Sequence, residues 1–165
     1  MRRKFRMEIK SFEAYFLDDV VRLSLRAWEP VFASLEKVLE PEVYREFYPE
    51  GWRASQRKSV EAACRSAEMK VWVAVDDRTT AGFVAVRLDA EAKLGEIYMI
   101  AVDPLYQKRG IGSRLTDFAI ERMKEAGMTV AMVETGGDPG HAPARRTYER
   151  AGFGLLPVAR YFKKL

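Results

Sequence analysis

The stretch that decides the fold is VDPLYQKRGIGSRLTDFAIERM, residues 102–123. It begins as the end of an apolar segment and ends as a helix with apolar side chains at helical spacing. Between the two lies a turn, residues 107–112, that holds two glycines and two cations. Glycines let a backbone approach an anion closely, and a helix start offers unpaired N–H groups and the positive end of its dipole. The turn therefore predicts a phosphate-binding site, with a tight turn that binds no ligand as the alternative.

Two common nucleotide-binding patterns do not match this turn. A dinucleotide-binding fingerprint needs a third glycine three positions after Gly112, where Leu115 stands. A P-loop needs Gly-Lys-Ser/Thr, whereas Gly112 is followed by Ser113 and an arginine. What remains is a strand, a Gln-x-x-Gly-x-Gly turn and a helix. The cations around the turn are Lys108, Arg109 and Arg114.

Outward from the turn, hydrophobic periodicity predicts a mixed α/β chain. Strands are predicted at residues 7–13, 71–75, 81–88, 94–102, 128–135 and 153–161. Helices are predicted to begin at Asp18, at Pro30, at Pro41, after the glycine turn and near Pro143. A further helix is predicted where Val60, Ala63, Cys64 and Ala67 recur at helical spacing. This order indicates one mixed sheet flanked by helices.

Composition limits the class of protein. With 165 residues, 48% of them apolar and 32% charged, the chain is expected to form one globular domain. No apolar run approaches the roughly 20 residues that span a bilayer, so no membrane association is expected. The lone Cys64 cannot form an internal disulfide, which suits a reducing cytoplasm. With one histidine and one cysteine, a metal site is not expected.

The net charge of +4 is concentrated at the start of the sequence. Residues 1–6 carry four basic and no acidic side chains, which leaves 24 basic against 24 acidic residues in the rest. A balanced globular part argues against a nucleic-acid partner. Residues 1–6 are therefore interpreted as a disordered basic leader ahead of a single domain, residues 7–165.

Two segments resemble motifs of the GNAT superfamily of N-acetyltransferases. EIYMIAVDPLYQKRGIGSRL, residues 96–115, resembles its acetyl-CoA-binding region, and ARRTYERAGF, residues 144–153, resembles a later motif that ends in Tyr-Glu-x-x-Gly-Phe. The resemblance implies a mixed, mostly antiparallel twisted sheet of six to seven strands flanked by helices. It also implies an acetyl-CoA-binding core over residues 70–165 and a variable acceptor-side region over residues 7–69.

The resemblance implies acetyl-CoA as the cofactor and assigns its contacts. The turn binds the pyrophosphate through backbone N–H groups, and a bulged strand offers its amides to the pantetheine arm and to the thioester oxygen. The expected cofactor-binding residues are Ile100, Ala101, Val102, Gln107, Lys108, Arg109, Gly110, Ile111, Gly112, Ser113, Arg114, His141 and Tyr148.

Two side chains are candidates for proton transfer. Glu96 is a carboxylate within an apolar strand and is the candidate base, with a solvated glutamate at a strand end as the alternative. By resemblance Tyr148 is the acid that faces the coenzyme sulfur, with an aromatic packed on the sheet as the alternative. His141 stands where relatives often carry an asparagine; helix capping, coenzyme contact and action on the substrate proton stay open.

The acceptor site is expected in the variable region. Aromatic residues there could bind an amine cation, although core packing explains most of them equally well. The candidates are Trp28, Phe32, Tyr44 and Trp52. The predicted function is acetyl transfer to a primary amine of a small molecule or a peptide. The alternative is a non-catalytic acyl-CoA-binding module, and a homodimer is one expected assembly because dimers are common in the family.

Overall fold

The computed structural model describes residues 7–165, so the predicted leader at residues 1–6 lies outside the described part. The strands are β1 (Met7–Ser11), β2 (Met69–Asp76), β3 (Thr79–Asp89), β4 (Leu94–Val102) and β5 (Val130–Val133). The helices are α1 (Leu17–Val38), α2 (Pro41–Phe47), α3 (Trp52–Arg65), α4 (Ile111–Glu125) and α5 (Ala142–Arg150). Single turns of 3-10 helix occur at Ala14–Phe16, Pro104–Tyr106 and Pro139–His141.

The described strands form one sheet in the order β1-β2-β3-β4-β5. The first four pair antiparallel and β5 pairs parallel to β4, which confirms a mixed and mostly antiparallel sheet. Helices cover both faces of this sheet. On one face α1 and α3 bury Leu23 and Val60 against Phe83, and on the other α4 buries Leu115 and Met123. Both clusters are apolar and fully enclosed, so they hold the helices firmly on the sheet.

The expected strand count of six to seven is wrong for the described residues, which contain five strands. Residues 153–161 were expected to form the last strand, but they form none. Within the described chain, residues 154–165 make no backbone–backbone hydrogen bond. Pro157 lacks an N–H group, and Leu155 and Leu156 are 76% and 79% exposed, so neither a ladder nor burial holds this segment as a strand.

A second difference concerns Pro30, which was expected to begin a helix. It lies inside α1, a single helix of 22 residues. Proline within a helix removes one hydrogen bond to the preceding turn. The helix continues because its apolar side, including Val20, Leu23 and Phe32, is buried along most of its length.

Candidate functional site

The strand β4 contains a bulge and then loses its partner on one side. Ala85 of β3 pairs with Met99 and Val86 pairs with Ile97, so Tyr98 is the extra residue. Pairing with β5 ends at the couple Ile97–Val133. Beyond that point, residues 99–102 pair with β3 and have no partner on the β5 side. The resemblance implied a bulge in this strand; the structure has one at Tyr98, and beyond it Ile100, Ala101 and Val102 have no partner in β5.

The bulge also changes which side chains share a face of the sheet. Ile97 contacts the α4-side cluster, and so do Ile100 and Val102, whereas Met99 and Ala101 contact the α1-side cluster. A regular strand would place residues 97, 99 and 101 on one face. The extra residue reverses this alternation. The open part of β4 thus packs Met99 and Ala101 against one cluster and Ile100 and Val102 against the other, while its backbone edge has no β5 partner.

The glycine turn leads from the end of β4 into α4 with unpaired amides. Gly110 precedes the helix at φ +78°, a conformation that glycine adopts without the cost a side chain would add. No side chain caps α4, and the first turn carries no acidic residue. Among the described residues, the N–H groups of Ile111, Gly112 and Ser113 have no backbone or side-chain acceptor. Three aligned free donors at the positive end of a helix match the needs of an anion.

Asp103 holds the start of this turn in place. The residue is 3% exposed, and its carboxylate forms an ion pair with Arg26 of α1. The same carboxylate accepts a hydrogen bond from the N–H of Leu105 at 3.0 Å and so caps the 3-10 turn after β4. Its own N–H donates to the carbonyl of Ala81 at 2.9 Å. One buried residue therefore joins α1 and the beginning of the turn through its carboxylate, and β3 through its backbone N–H.

Gln107 and the nearby cations were expected to contact the cofactor. The side-chain amide of Gln107 donates to the carbonyl of Val102 at 3.0 Å, which closes the turn onto the end of β4. Arg109 lies over the ring of Tyr106 at 5.1 Å. Lys108 adopts φ +61° and is exposed. The turn is thus shaped by Gln107, while its cations lie on the outside near the free amides.

Tyr148 lies on α5 and is buried. Burial raises the pKa of its phenol to about 12. Its ring meets Phe153 edge-on, with centroids 6.0 Å apart. Within residues 7–165 its hydroxyl has no hydrogen-bond partner. A neutral phenol with an uncommitted O–H group can donate a hydrogen bond to a bound ligand.

Glu96 is committed to an ion pair on β4. Arg87, its cross-strand neighbour, donates from Nε at 3.0 Å and from Nη2 at 2.5 Å, and both bonds end on Oε2 of Glu96. The Glu96 side chain is 15% exposed, and the Arg87 guanidinium also lies over the Tyr98 ring at 5.4 Å. Arg87 gave no sequence signal, because the cross-strand register alone brings it to Glu96.

The loop between β5 and α5 is tied together by Asp138. Its carboxylate accepts hydrogen bonds from Ser34 of α1 at 2.5 Å and from the N–H of Gly140 at 3.0 Å, and it contacts His141 Nδ1. Burial raises the pKa of Asp138, but the hydrogen bonds from Ser34 and His141 and the Gly140 amide outweigh it, so the net pKa is lowered. Arg145 of α5 donates to the carbonyl of Asp138 at 2.8 Å.

The sequence-based search missed Asp103, Ser34 and Asp138. Both aspartates stand directly before a proline and cap a turn, at Asp103-Pro104 and Asp138-Pro139. That Asp-Pro pattern is a turn signal that the sequence does contain. Ser34 carries no such signal, because only the packing of the loop on α1 brings it to Asp138.

The proposed acceptor aromatics separate into two groups. Phe32 stacks on Trp52 with centroids 4.5 Å apart, and Tyr48 meets both Phe32 and Tyr44 edge-on at 5.2 Å and 4.9 Å. Trp28 instead packs edge-on against Phe83 in the sheet core. The structure therefore brings three of the four candidates into one cluster between α1, α2 and α3.

Other site classes find no support in the described part of the chain. No group of His, Cys, Asp or Glu residues there has the arrangement of a metal site. No helix of residues 7–165 is long and apolar enough to cross a membrane. Cys64 is buried, and burial raises the pKa of its thiol to about 11, which opposes a nucleophilic role.

Comparison with known proteins shows the family. The model of the acetyltransferase (GNAT) family matches residues 39–153. A mycothiol acetyltransferase of Gordonia bronchialis is 31% identical over 147 residues, which cover 86% of this chain and 46% of that protein. The mycothiol acetyltransferase of Beutenbergia cavernae is 39% identical over 90 residues, which cover 54% of this chain and 29% of that protein. The chain thus spans less than half the length of these curated relatives.

A solved structure shows the same fold. The PaiA N-acetyltransferase of Thermoplasma acidophilum, determined in complex with coenzyme A, superposes with a TM-score of 0.68 at 15% identity. The match covers 93% of each chain. At this identity, the likeness extends to the fold alone.

Proposed function

The chain belongs to the acetyltransferase (GNAT) family, and on that premise we propose that it transfers an acetyl group from acetyl-CoA to a primary amine. The proposal rests on two adjacent features, the open edge of β4 and the uncapped start of α4. Beyond Ile97 the strand edge is open, and the helix that follows begins with three unpaired amides. An open strand edge next to an uncapped helix start suits a ligand that carries both amide groups and phosphates.

Coenzyme A fits these residues in a definite order. We assign the pyrophosphate to the N–H groups of residues 110–113, with Lys108, Arg109 and Arg114 as cations beside them. We assign the pantetheine arm to the open backbone of Ile100–Val102. When bound, acetyl-CoA supplies the activated acetyl group as a thioester.

The proposed proton-transfer residues are Tyr148 and Glu96. A phenol with a pKa of about 12 holds its proton more tightly than a thiol does, so Tyr148 acts by donating a hydrogen bond to the leaving sulfur. Glu96 accepts the proton of the incoming ammonium through water. Its Oε2 is held by Arg87, which leaves Oε1 to face that water.

The acceptor is proposed to bind beside α1 and α2. The relatives named above are mycothiol acetyltransferases, which supports a small-molecule acceptor; a peptide amine is the other class. The aromatic cluster of Phe32, Tyr44, Tyr48 and Trp52 borders this side of the chain. Aromatic faces attract an ammonium group by cation–π interaction.

A panel of primary amines tested with acetyl-CoA decides between transfer and binding without transfer. Acetyl transfer predicts thiol release above the background without acceptor, together with the acetylated amine in the mass spectrum. Tight coenzyme A binding with no release over the panel would support the non-catalytic module instead. The control is Gly110→Val, which forces a branched side chain into the φ +78° position and should abolish coenzyme binding.

We also propose a homodimer and a cytoplasmic location, each with its own support. Leu155, Leu156, Val158 and Tyr161 are 72–90% exposed and follow one another along the segment after α5. A second copy of the chain would cover these apolar side chains. Sedimentation of the wild type and of Leu156→Glu tests the dimer, since the variant should be monomeric.

The proposed cytoplasmic location is supported by the lone Cys64, because a free thiol suits a reducing compartment.

A further inference from the structure

His141 is held by a hydrogen-bond network centred on Asp138. Its Nδ1 contacts the Asp138 carboxylate, and Asp138 in turn accepts from the hydroxyl of Ser34 at 2.5 Å. The His141 side chain is 18% exposed and that of Asp138 is 8% exposed. The loop is pressed onto α1, since a Cβ added to Gly140 would lie 2.5 Å from the Cβ of Ser34. The imidazole is therefore fixed from one side by an arrangement built from two elements.

This network determines which ring nitrogen carries the proton. A carboxylate oxygen only accepts hydrogen bonds, so Nδ1 of neutral His141 must be the donor. The other nitrogen, Nε2, is then unprotonated and has a free lone pair. Within residues 7–165, Nε2 has no hydrogen-bond partner. A histidine oriented by an aspartate, with Nε2 free, has the arrangement of a general base.

The loop that carries His141 lies between the two sides of the site. Residues Pro139–His141 contact α1, which borders the aromatic cluster, and α5 continues from His141 to pack on α4. Tyr148 follows His141 by seven positions, so it lies about two helical turns into α5 from the 3-10 turn that His141 ends. The loop also begins directly after β5, at the end of the strand from which β4 has separated. His141 therefore lies where a loop that contacts α1 leads into α5, which packs on α4.

Two protons leave the acceptor nitrogen when an ammonium becomes an amide. The first proton must leave the ammonium before its nitrogen can attack, and the proposed function gives Glu96 the role of accepting it. The second proton leaves once the nitrogen lone pair has formed the bond to the thioester carbon. Burial raises the pKa of Tyr148 to about 12, so this phenol gives a proton to the leaving sulfur less readily than an imidazolium would.

We propose that His141 is the catalytic residue that takes this second proton, with Asp138 and Ser34 as its positioning residues; the inference rests on the proposed function. The nitrogen lone pair forms the bond to the thioester carbon, and the nitrogen gives its proton to Nε2. The carbon–sulfur bond then breaks with its electron pair on sulfur, and the imidazolium returns the proton to that sulfur. The products are an amide and a thiol, and His141 is neutral again.

The surroundings of His141 suit a transient imidazolium. The charged groups in contact with its loop are the Asp138 carboxylate and the guanidinium of Arg145, which donates to the carbonyls of Gly136 and Asp138. From α1 the loop meets the uncharged Ser34 and the Pro30 carbonyl. The nearest formal charge to the ring is therefore the Asp138 carboxylate.

The first test is independent of turnover, because His141 is the only histidine of the chain. In protein made with ¹⁵N-labelled histidine and without a histidine tag, the nitrogen spectrum contains one imidazole. We expect Nδ1 protonated and Nε2 unprotonated near pH 8, and an Nε2 resonance that shifts when acetyl-CoA is added. Asp138→Asn should change the tautomer ratio, because the amide can also donate to Nδ1. An Nε2-protonated ring in the wild type overturns the proposal.

The second test uses a matched pair of variants. His141→Asn keeps an N–H group where Nδ1 donates to Asp138 but removes Nε2, whereas His141→Gln keeps a polar atom near Nε2 and loses the bond to Asp138. A proton-transfer role predicts that both lower kcat/KM about 100-fold at pH 7. It also predicts that both remove the acid limb of the pH profile and that added imidazole rescues His141→Ala. Arg146→Gln, an exposed change on α5, is the control and should leave the rate unchanged.

The outcomes separate the two proposals. An active wild type with full rate in His141→Asn and reduced stability in His141→Gln gives the histidine a structural role and overturns the inference alone. A wild type that transfers no acetyl group to any amine overturns the proposed function and the proton-transfer role with it. In that case, the Nε2 shift on adding acetyl-CoA still reports whether His141 contacts the cofactor.

Discussion

Replacing Asp103 with alanine tests how the phosphate-binding turn is held. The carboxylate is almost fully buried and makes two contacts, a cap on the N–H of Leu105 and an ion pair with Arg26. Losing a cap costs about 1 kcal/mol. Losing a charge-assisted hydrogen bond costs about 1.5 kcal/mol when the freed partner can rehydrate. Arg26 can rehydrate, since its side chain is 52% exposed.

The Asp103→Ala variant is therefore expected to lose about 2.5 kcal/mol of unfolding free energy. For a domain of this size, that corresponds to a melting temperature roughly 5–10 °C lower. Urea unfolding and calorimetry at pH 7 measure both quantities. Asp103→Asn keeps an acceptor for the Leu105 amide and should lose about half as much. Asp117→Ala, at an exposed aspartate on α4, is the matched control and should change stability by less than about 0.5 kcal/mol.

The same variant should weaken coenzyme A binding, because the turn that offers the free amides begins at Asp103. We expect the dissociation constant to rise about tenfold, equivalent to about 1.4 kcal/mol, by calorimetric titration well below the melting temperature. If Asp103→Ala loses no more unfolding free energy than the control Asp117→Ala, the energies assigned to the cap and the ion pair are wrong. If Asp103→Ala loses the expected unfolding free energy but binds coenzyme A as tightly as the wild type, Asp103 does not determine the shape of the turn.

The remaining predictions concern Glu96, Tyr148, Gly140 and Cys64. Glu96→Gln should lower the acetylation rate at neutral pH, and the defect should shrink as pH rises and the amine deprotonates unaided; an unchanged pH–rate profile removes Glu96 as the base. Tyr148→Phe should lower kcat about tenfold with little change in coenzyme affinity, whereas equal losses would make Tyr148 a binding residue. Burial raises the pKa of Tyr148 from 10.0 to about 12. The protonated phenol therefore contributes its full stabilisation below pH 10, and this contribution is lost as the pH rises from 10 to 12. Wild-type stability should therefore fall more steeply than that of Tyr148→Phe over this range, by about 1.4 kcal/mol per pH unit; parallel curves contradict the burial argument. Gly140→Ala should destabilise the protein by about 2 kcal/mol in urea unfolding, since its Cβ would meet Ser34 at 2.5 Å, and a neutral effect would mean that the loop moves away freely. Cys64→Ser should leave turnover unaltered, and a large loss of turnover in a folded variant would indicate a nucleophilic role for this buried thiol.

The elements near the glycine turn were predictable because local patterns dominate there. The strand at 94–102 was predicted with its bounds, and the helices after Gly110 and Pro41 were predicted at their starts. Apolar alternation, a glycine in the left-handed region and a proline at a first helical position act within a few residues. The motif spacing also pointed to the family, which the family match confirms.

Failures of prediction arose where partners distant in sequence decide the outcome. Residues 153–161 have strand-like composition, but no neighbouring strand pairs with them in the described chain. Pro30 has the pattern of a helix start, yet the buried side of α1 carries the helix through it. The ion pair of Glu96 with Arg87 depends on the register of β3 against β4.

What the sequence by itself determined is the family, the mixed sheet and the turn that offers free amides, because these depend on short-range pattern and backbone chemistry. What only the tertiary structure decided is the state of the reactive groups. The Asp138–His141 contact, the Ser34 bond across from α1 and the burial of Tyr148 all need elements far apart in the chain to pack together. Proton affinity and tautomer depend on such neighbours, and these neighbours are set by packing rather than by spacing along the chain.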